Sequence, residues 1–190
     1  MSSRRCSAQP KAGRIRTRWP SCAGATHMSN EFFALDAEGG DPIWYLQILM
    51  TIKASGDQTG GALGLLDFKT PAGQTPLHVH HHEDEGWYLL EGRISCTCGD
   101  ETVTAGPGAF IWLPRDVPHR LRFETECHLL QIAIPAGLEV FHKKMGQPAP
   151  RIELPPPGQV LDTEKYKRLA AEHGLEIIQL PQWDKEGAKK

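Results

Sequence analysis

Four residues in the middle of the chain have the types and spacing to hold a metal ion: His78, His80, Glu85 and His119. The first three lie in the stretch PLHVHHHEDEGWYLLEG, from Pro76 to Gly92. Residues two apart in a strand point to the same side, so His78 and His80 aim both imidazoles into one space. The acidic, turn-prone tail His81-His82-Glu83-Asp84 lets the chain reverse, and Glu85 can return beside them at the start of the next strand. Two imidazoles and a carboxylate suit one divalent transition metal, whether nickel, cobalt, manganese, iron, copper or zinc. His119 follows Gly108-Ala-Phe-Ile-Trp-Leu-Pro114-Arg-Asp-Val-Pro118 and opens a later strand, where it is the fourth candidate ligand. A rival register pairs His80 with His82, but it leaves only two residues before Glu85 and crowds the turn. Surface or turn roles fall to His81, His82, His128, His142 and His173. Four protein ligands on a cation that accepts five or six leave room for a substrate, whereas a structural zinc is closed and tetrahedral. A ligand set at a barrel mouth points to the open form.

The elements that must position these residues read as strands. The apolar run Ile43 to Ile52 predicts a first long strand, and Ala62 to Phe68 a second. Glu85 to Cys98 reads as a strand pair bent at Gly92, and Gly99-Asp100 as a hairpin into Glu101–Ala105. His119-Arg-Leu-Arg-Phe123 alternates cleanly, so His119, Leu121 and Phe123 share one face. With Glu85 inward, Trp87 and Leu89 follow it, while Tyr88 and Leu90 face out. The run Phe110-Ile-Trp-Leu113 leaves two registers open, Phe110 with Trp112 or Ile111 with Leu113; the aromatic pair is assigned to the pocket. The expected substrate pocket is therefore Trp87, Leu89, Phe110, Trp112, Leu121 and Phe123, with ordinary core packing as the plainer role of each. Many short strands with Gly/Pro turns argue an all-β sandwich or barrel. Leu138 to Met145 predicts a short helix, Pro148 to Pro157 a connector, and Thr163 to His173 a second helix capped by Asp162 and stopped at Gly174. Glu176 to Leu180 suits a short strand, and Lys185 to Lys190 a frayed end.

At 190 residues the chain can bury a core of ordinary domain size. Its net charge of −2 conceals an asymmetry. Residues 1–27 carry six bases (Arg4, Arg5, Lys11, Arg14, Arg16, Arg18) and no acid, which leaves 15 bases against 23 acids in the remainder. The acidic body argues against a nucleic-acid partner. The leader lacks the apolar segment of a secretory signal; a transit peptide would match its composition, but a disordered extension is the reading adopted. No apolar run approaches transmembrane length, so no membrane is expected. Cys96 and Cys98, two apart on one strand face, lack the Cys-x-x-Cys spacing of zinc or redox sites and read as packed thiols. With five cysteines, an odd number, a reducing, cytoplasmic setting fits best. The expected organisation is a disordered basic leader over 1–30, a β-barrel over 31–147, and a connector with a C-terminal helix packed on the barrel over 148–190.

The ligand pattern resembles the cupin family. Its first motif, G-x5-H-x-H-x3–4-E-x6-G, is met by His78-x-His80-x4-Glu85-x6-Gly92, except that Gly73 sits one residue closer to the first histidine. Its second, G-x5-P-x-G-x2-H-x3-N, is followed by Gly108-x5-Pro114-x-Asp116-x2-His119, with Asp116 for Gly and Phe123 for Asn. The resemblance covers roughly residues 43–135 and implies a double-stranded β-helix, or jelly-roll barrel, with a short C-terminal helical extension. Three stretches resemble the single-barrel, quercetin 2,3-dioxygenase-like group: Met50 to Ala54 before Thr59 to Leu63, Pro76 to Glu85, and Pro135-Ala-Gly137 leading into Phe141; the helix ending Ala170-Ala-Glu-His-Gly174 is similar to that group too. That group implies a flavonol-like or other enolisable aromatic substrate, dioxygen as co-substrate, Glu85 as catalytic base and ring cleavage with release of carbon monoxide. Fold analogy alone leaves two alternatives: a non-redox metal-dependent isomerase or cyclase, and a non-catalytic small-molecule-binding cupin. The exposed Tyr88 and Leu90 beside an edge strand lead us to expect a homodimer.

Overall fold

A computed structural model describes residues 31–181. The leader expected over 1–30 and the frayed end from Lys185 lie outside the described residues. The elements in chain order are β1 (Asp41–Tyr45), β2 (Ile48–Ala54), α1 (Gly56–Thr59), β3 (Gly64–Thr70), β4 (Gly73–Gln74) and β5 (Leu77–His80). They continue with β6 (Asp84–Glu91), β7 (Ile94–Cys98), β8 (Glu101–Ala105), β9 (Phe110–Leu113), β10 (His119–Phe123) and β11 (Cys127–Ile134). Helix α2 (Leu138–Met145), β12 (Gln147–Pro148), α3 (Thr163–Glu172) and β13 (Leu175–Gln179) complete the set.

The alternating strands make two antiparallel sheets, ordered β12-β1-β2-β3-β11-β6-β9 and β13-β5-β10-β7-β8, with β4 also pairing β10. Between them lies a core that includes Met50, Leu66, Phe68, Trp87, Leu121 and Leu129. Full burial of such side chains is worth about 1.5–3 kcal/mol each, which ties the two sheets together. His78, Val79 and His80 sit on β5, and Glu85 sits at the start of β6 in the opposite sheet. The chain thus crosses from one sheet to the other within the His81–Glu83 turn.

Two sequence readings are corrected here. The long strand expected over 43–52 is a hairpin, with Tyr45 opposite Ile48 across a turn at Leu46-Gln47. Leu46 takes φ 53, a left-handed conformation usually given to Gly or Asn, so composition offered no sign of it. The second concerns β9, which pairs Leu113 with Glu85 and Ile111 with Trp87. Ile111 and Leu113 are the inward pair, whereas Phe110 and Trp112 are 54% and 43% exposed on the outer face. An entirely apolar four-residue strand carries no alternation from which its register could be read.

The C-terminal segment is continuous with the barrel. In α2 the residues Leu138, Phe141, His142 and Met145 form one buried stripe at helical spacing. Leu138, Phe141 and Met145 pack with Tyr166, Leu169 and Ala170 of α3 and with Ala133 of β11 in a second apolar cluster. Asp162 caps α3 by accepting a hydrogen bond from the Lys165 amide at 2.9 Å. Strand β13 then pairs with β5, setting Leu175 opposite His80 and Ile177 opposite His78. Among the described residues, no helix is long and apolar enough to cross a membrane.

Gly92, between β6 and β7, has φ +93, and a Cβ there would lie 2.4 Å from the Glu126 carbonyl oxygen and 2.6 Å from Cys127 Sγ. Gly92→Ala is therefore expected to destabilise the barrel by more than about 1 kcal/mol. A urea titration reads this as a lower midpoint at unchanged slope; an unshifted midpoint would contradict the close approach.

Candidate metal centre

The ligand cluster is built from both sheets. His78 on β5 lies directly opposite His119 on β10, while Glu85 faces them from β6. One donor atom from each of His78, His80, Glu85 and His119 falls within 4.8 Å of the others, and all four residues are buried. The Nε2 atoms of His78 and His80 are 3.0 Å apart, and His119 Nε2 lies 3.4 Å from Glu85 Oε2. His82, the ligand of the rival register, is exposed.

The other ring nitrogens explain why these atoms converge. His78 Nδ1 donates to the Pro76 carbonyl at 2.9 Å, and His119 Nδ1 donates to the Val117 carbonyl at 3.0 Å. His80 Nδ1 faces the buried Glu83 carboxylate at 3.7 Å, in ion-pair range. The carbonyl acceptors at Nδ1 of His78 and His119 select the Nδ1–H tautomer in those two rings, so their Nε2 lone pairs are turned inward. Glu85 Oε1 accepts a 2.6 Å hydrogen bond from Gln131 Nε2, whereas Glu85 Oε2 and His119 Nε2 are buried without a hydrogen-bond partner. Lone pairs and a carboxylate crowded together in a buried site are unfavourable unless a cation lies among them. The donor set fits a divalent transition metal: three imidazole nitrogens and one carboxylate oxygen.

Electrostatics follow the same geometry. Burial alone would raise the Glu85 carboxyl, but the contact with His119 and the neighbouring imidazoles hold it below the usual carboxylate range. Burial would lower His119, yet Glu85 outweighs it and raises that imidazole. Burial, helped by His80 and His119, pushes His78 down to about 3.

The departures from the resembled motifs are accounted for locally. Asp116 takes φ 62, the left-handed conformation the motif's glycine would supply, and Asp tolerates it better than most residues. Its amide donates to the His80 carbonyl at 2.8 Å, and its carboxylate meets His81 Nδ1 at 2.7 Å. Phe123, in the Asn position, is buried and stacks on Phe68 at 5.9 Å. Cys96, on the His119 side of the barrel, is a packed thiol whose burial pushes it up to about 12.

Beside the cluster opens a cavity of about 1130 Å³. His78, His80 and Glu85 line it, as do Trp87, Leu121 and Phe123 from the expected pocket. Leu89 does not line it: it follows Trp87 on the inner face of β6 and is core. Phe110 and Trp112 do not either, for the register reason above. Sequence reasoning missed Gln131, Glu83 and His142. His142, assigned to the surface, is buried in the cavity wall; its signal was its place in the apolar stripe of α2. Gln131 stands at an inward position of β11, two residues from Ala133, which pairs with Glu85.

Adding a divalent cation to chelator-treated protein at about a hundred times its Kd should stabilise the fold by about 2.7 kcal/mol. His78→Ala should abolish that gain. Glu83→Ala should weaken metal affinity about ten- to a hundredfold by freeing the His80 ring; equal Kd values by calorimetry would deny Glu83 any hold on His80. Acid should act on the metal-free protein through neutral buried histidines. His142 is pushed down to about 4 by burial, against the pull of Glu85. Because the unfolded chain takes up that proton near 6.5, its contribution to stability is full above that pH and declines as pH falls towards 4. Urea midpoints of metal-free protein should fall over this window, and less steeply in His142→Phe. Parallel pH profiles would refute the contribution of His142.

Residues 66–133 match the family model described as the cupin domain. Quercetin 2,3-dioxygenase of Bacillus subtilis is 23% identical over 142 residues, which cover 73% of this chain and 42% of that protein. An uncharacterized protein of Streptomyces coelicolor is 31% identical over 55 residues, covering 29% of this chain and 52% of its own. The chain spans about half or less of the length of the curated relatives it matches. Among solved structures, an RmlC-like cupin from Shewanella frigidimarina superposes with a TM-score of 0.50 at 15% identity, covering 60% of this chain and 98% of that one. The facing antiparallel sheets, the inward histidines and the match over residues 66–133 agree: the chain has the cupin fold.

Proposed function

We propose that the protein is a metal-dependent dioxygenase acting on a flavonol-like or other enolisable aromatic substrate. The observation that carries this reading is the joining of a buried three-histidine, one-carboxylate cluster to a cavity whose wall includes six aromatic rings. Phe68, Trp87, Phe123, Phe141, Tyr45 and Tyr166 all contribute to its lining. The aromatic faces beside the cluster suit a flat aromatic ligand, and the polar residues of the same wall suit its hydroxyl groups. The likeness to a protein named quercetin 2,3-dioxygenase supports the same substrate class.

A divalent cation held by His78, His80, Glu85 and His119 would supply Lewis acidity at the enol oxygen and the means of engaging dioxygen. The chain's own part is positioning and proton management. Glu85 Oε2 has no hydrogen-bond partner and is the atom to take the substrate's hydroxyl proton. Because its surroundings keep Glu85 ionised, it serves as an acceptor only for a hydroxyl that has itself been made acidic. Gln131, bonded to Oε1, keeps the carboxylate from turning its free oxygen away. Trp87 and Phe123 pack edge to face with centroids 6.4 Å apart, and together they form an apolar part of the wall against which a planar ring would lie.

Metal-loaded protein should consume oxygen and release carbon monoxide from a flavonol. Glu85→Gln should lower that turnover by about a hundredfold or more while retaining much of the metal. Unchanged turnover in the variant would remove Glu85 from the base role. An absence of carbon monoxide with nickel, cobalt, manganese, iron, copper and zinc alike would overturn the dioxygenase reading in favour of a Lewis-acid enzyme or a binding protein.

A further inference from the structure

His142 is an anomaly that the metal cluster does not explain. It is 9% exposed, it lines the cavity, and neither Nδ1 nor Nε2 has a hydrogen-bond partner. A buried imidazole with both nitrogens unmatched costs stability, because each polar atom has given up water without replacement. The stripe of α2 that carries it, Leu138, Phe141 and Met145, is otherwise apolar, so a leucine there would pack at no such cost. Nor is His142 a further metal ligand, since it is not among the four residues whose donor atoms converge. It nevertheless lies near enough to the cluster for the charges of Glu85 and His80 to act on it.

We propose that His142 is a specificity-determining residue, which binds a hydroxyl group of an aromatic ligand whose other end lies at the metal cluster. A neutral imidazole offers one N–H and one lone pair. A phenolic hydroxyl both donates and accepts, so it can meet either nitrogen. Two other unmatched groups in the same cavity match a polyhydroxylated ring: Trp87 Nε1, a donor, and Gln131 Oε1, an acceptor. The assignment rests on the aromatic-ligand part of the functional reading and not on turnover. It also gives the helical segment after the barrel a role in recognition, because α2 lies outside the matched residues 66–133.

The test is a binding cycle on metal-loaded, anaerobic protein with two probes, 3-hydroxyflavone and quercetin. They share the enol and ketone at one end, and only quercetin has further hydroxyls. His142→Phe should weaken quercetin binding about ten- to a hundredfold, and 3-hydroxyflavone binding by no more than about twofold. His142→Gln, which restores an amide donor and acceptor, should recover part of the loss, and elemental analysis should find equal metal in all three proteins. Equal losses for both probes, or no loss for either, overturn the assignment. Wild-type protein that binds neither probe overturns both the assignment and the aromatic-ligand reading. Tight binding with the expected cycle but no carbon monoxide under oxygen would leave His142 assigned and remove the dioxygenase chemistry alone.

Discussion

A buried space shared by three imidazoles and a carboxylate is the constraint on which the rest of this structure depends. Burying such groups is unfavourable unless every donor and acceptor is matched. Around the cluster, backbone carbonyls at Pro76 and Val117 and the amide of Gln131 match the outward-facing atoms. Two atoms left unmatched inside the cluster, His119 Nε2 and Glu85 Oε2, lie 3.4 Å apart. The two-sheet architecture makes this possible, because a single pleated surface presents side chains in parallel, whereas facing sheets aim them at each other. The His81–Glu83 turn carries the chain between sheets without leaving the site.

Much of this was legible in the sequence because strand geometry converts spacing into direction. His78 and His80 share a face by the two-residue period, and the clean alternation of His119, Leu121 and Phe123 fixed their side. Where the pattern held no contrast, the direction was lost. Phe110 to Leu113 is apolar throughout, so nothing marked Ile111 and Leu113 as the inward pair. The hairpin at Leu46-Gln47 lacked turn residues, and its strands merged into one apolar run. The roles of Gln131, Glu83 and His142 were missed for another reason, although the stripe of α2 marked His142 as buried. Gln131 and His142 matter for what they face across the barrel, which a linear pattern does not show, and Glu83 is one acid among several in a turn, with nothing in the sequence to mark it as the one beside His80.

The site is also larger than its ligands. The extension that follows the barrel contributes Leu138, Phe141, His142 and Tyr166 to the cavity wall. The turn leading into α2 is kept open by Gly137, where a Cβ would lie 2.6 Å from the Glu83 carboxylate that faces His80. Metal cluster, cavity and extension are therefore one packed unit, in which a ring filling the cavity contacts elements from both ends of the fold.

The pairing of β13 with β5 bears on the order in which the site can be assembled. Until residues 175–179 arrive, the strand holding two of the histidines has one edge without its backbone partners. All four ligands are synthesised by residue 119, yet the wall that fixes two of them comes far downstream. The backbone pairing of the strand that carries His78 and His80 thus depends on long-range closure by residues 175–179 as well as on the local motif.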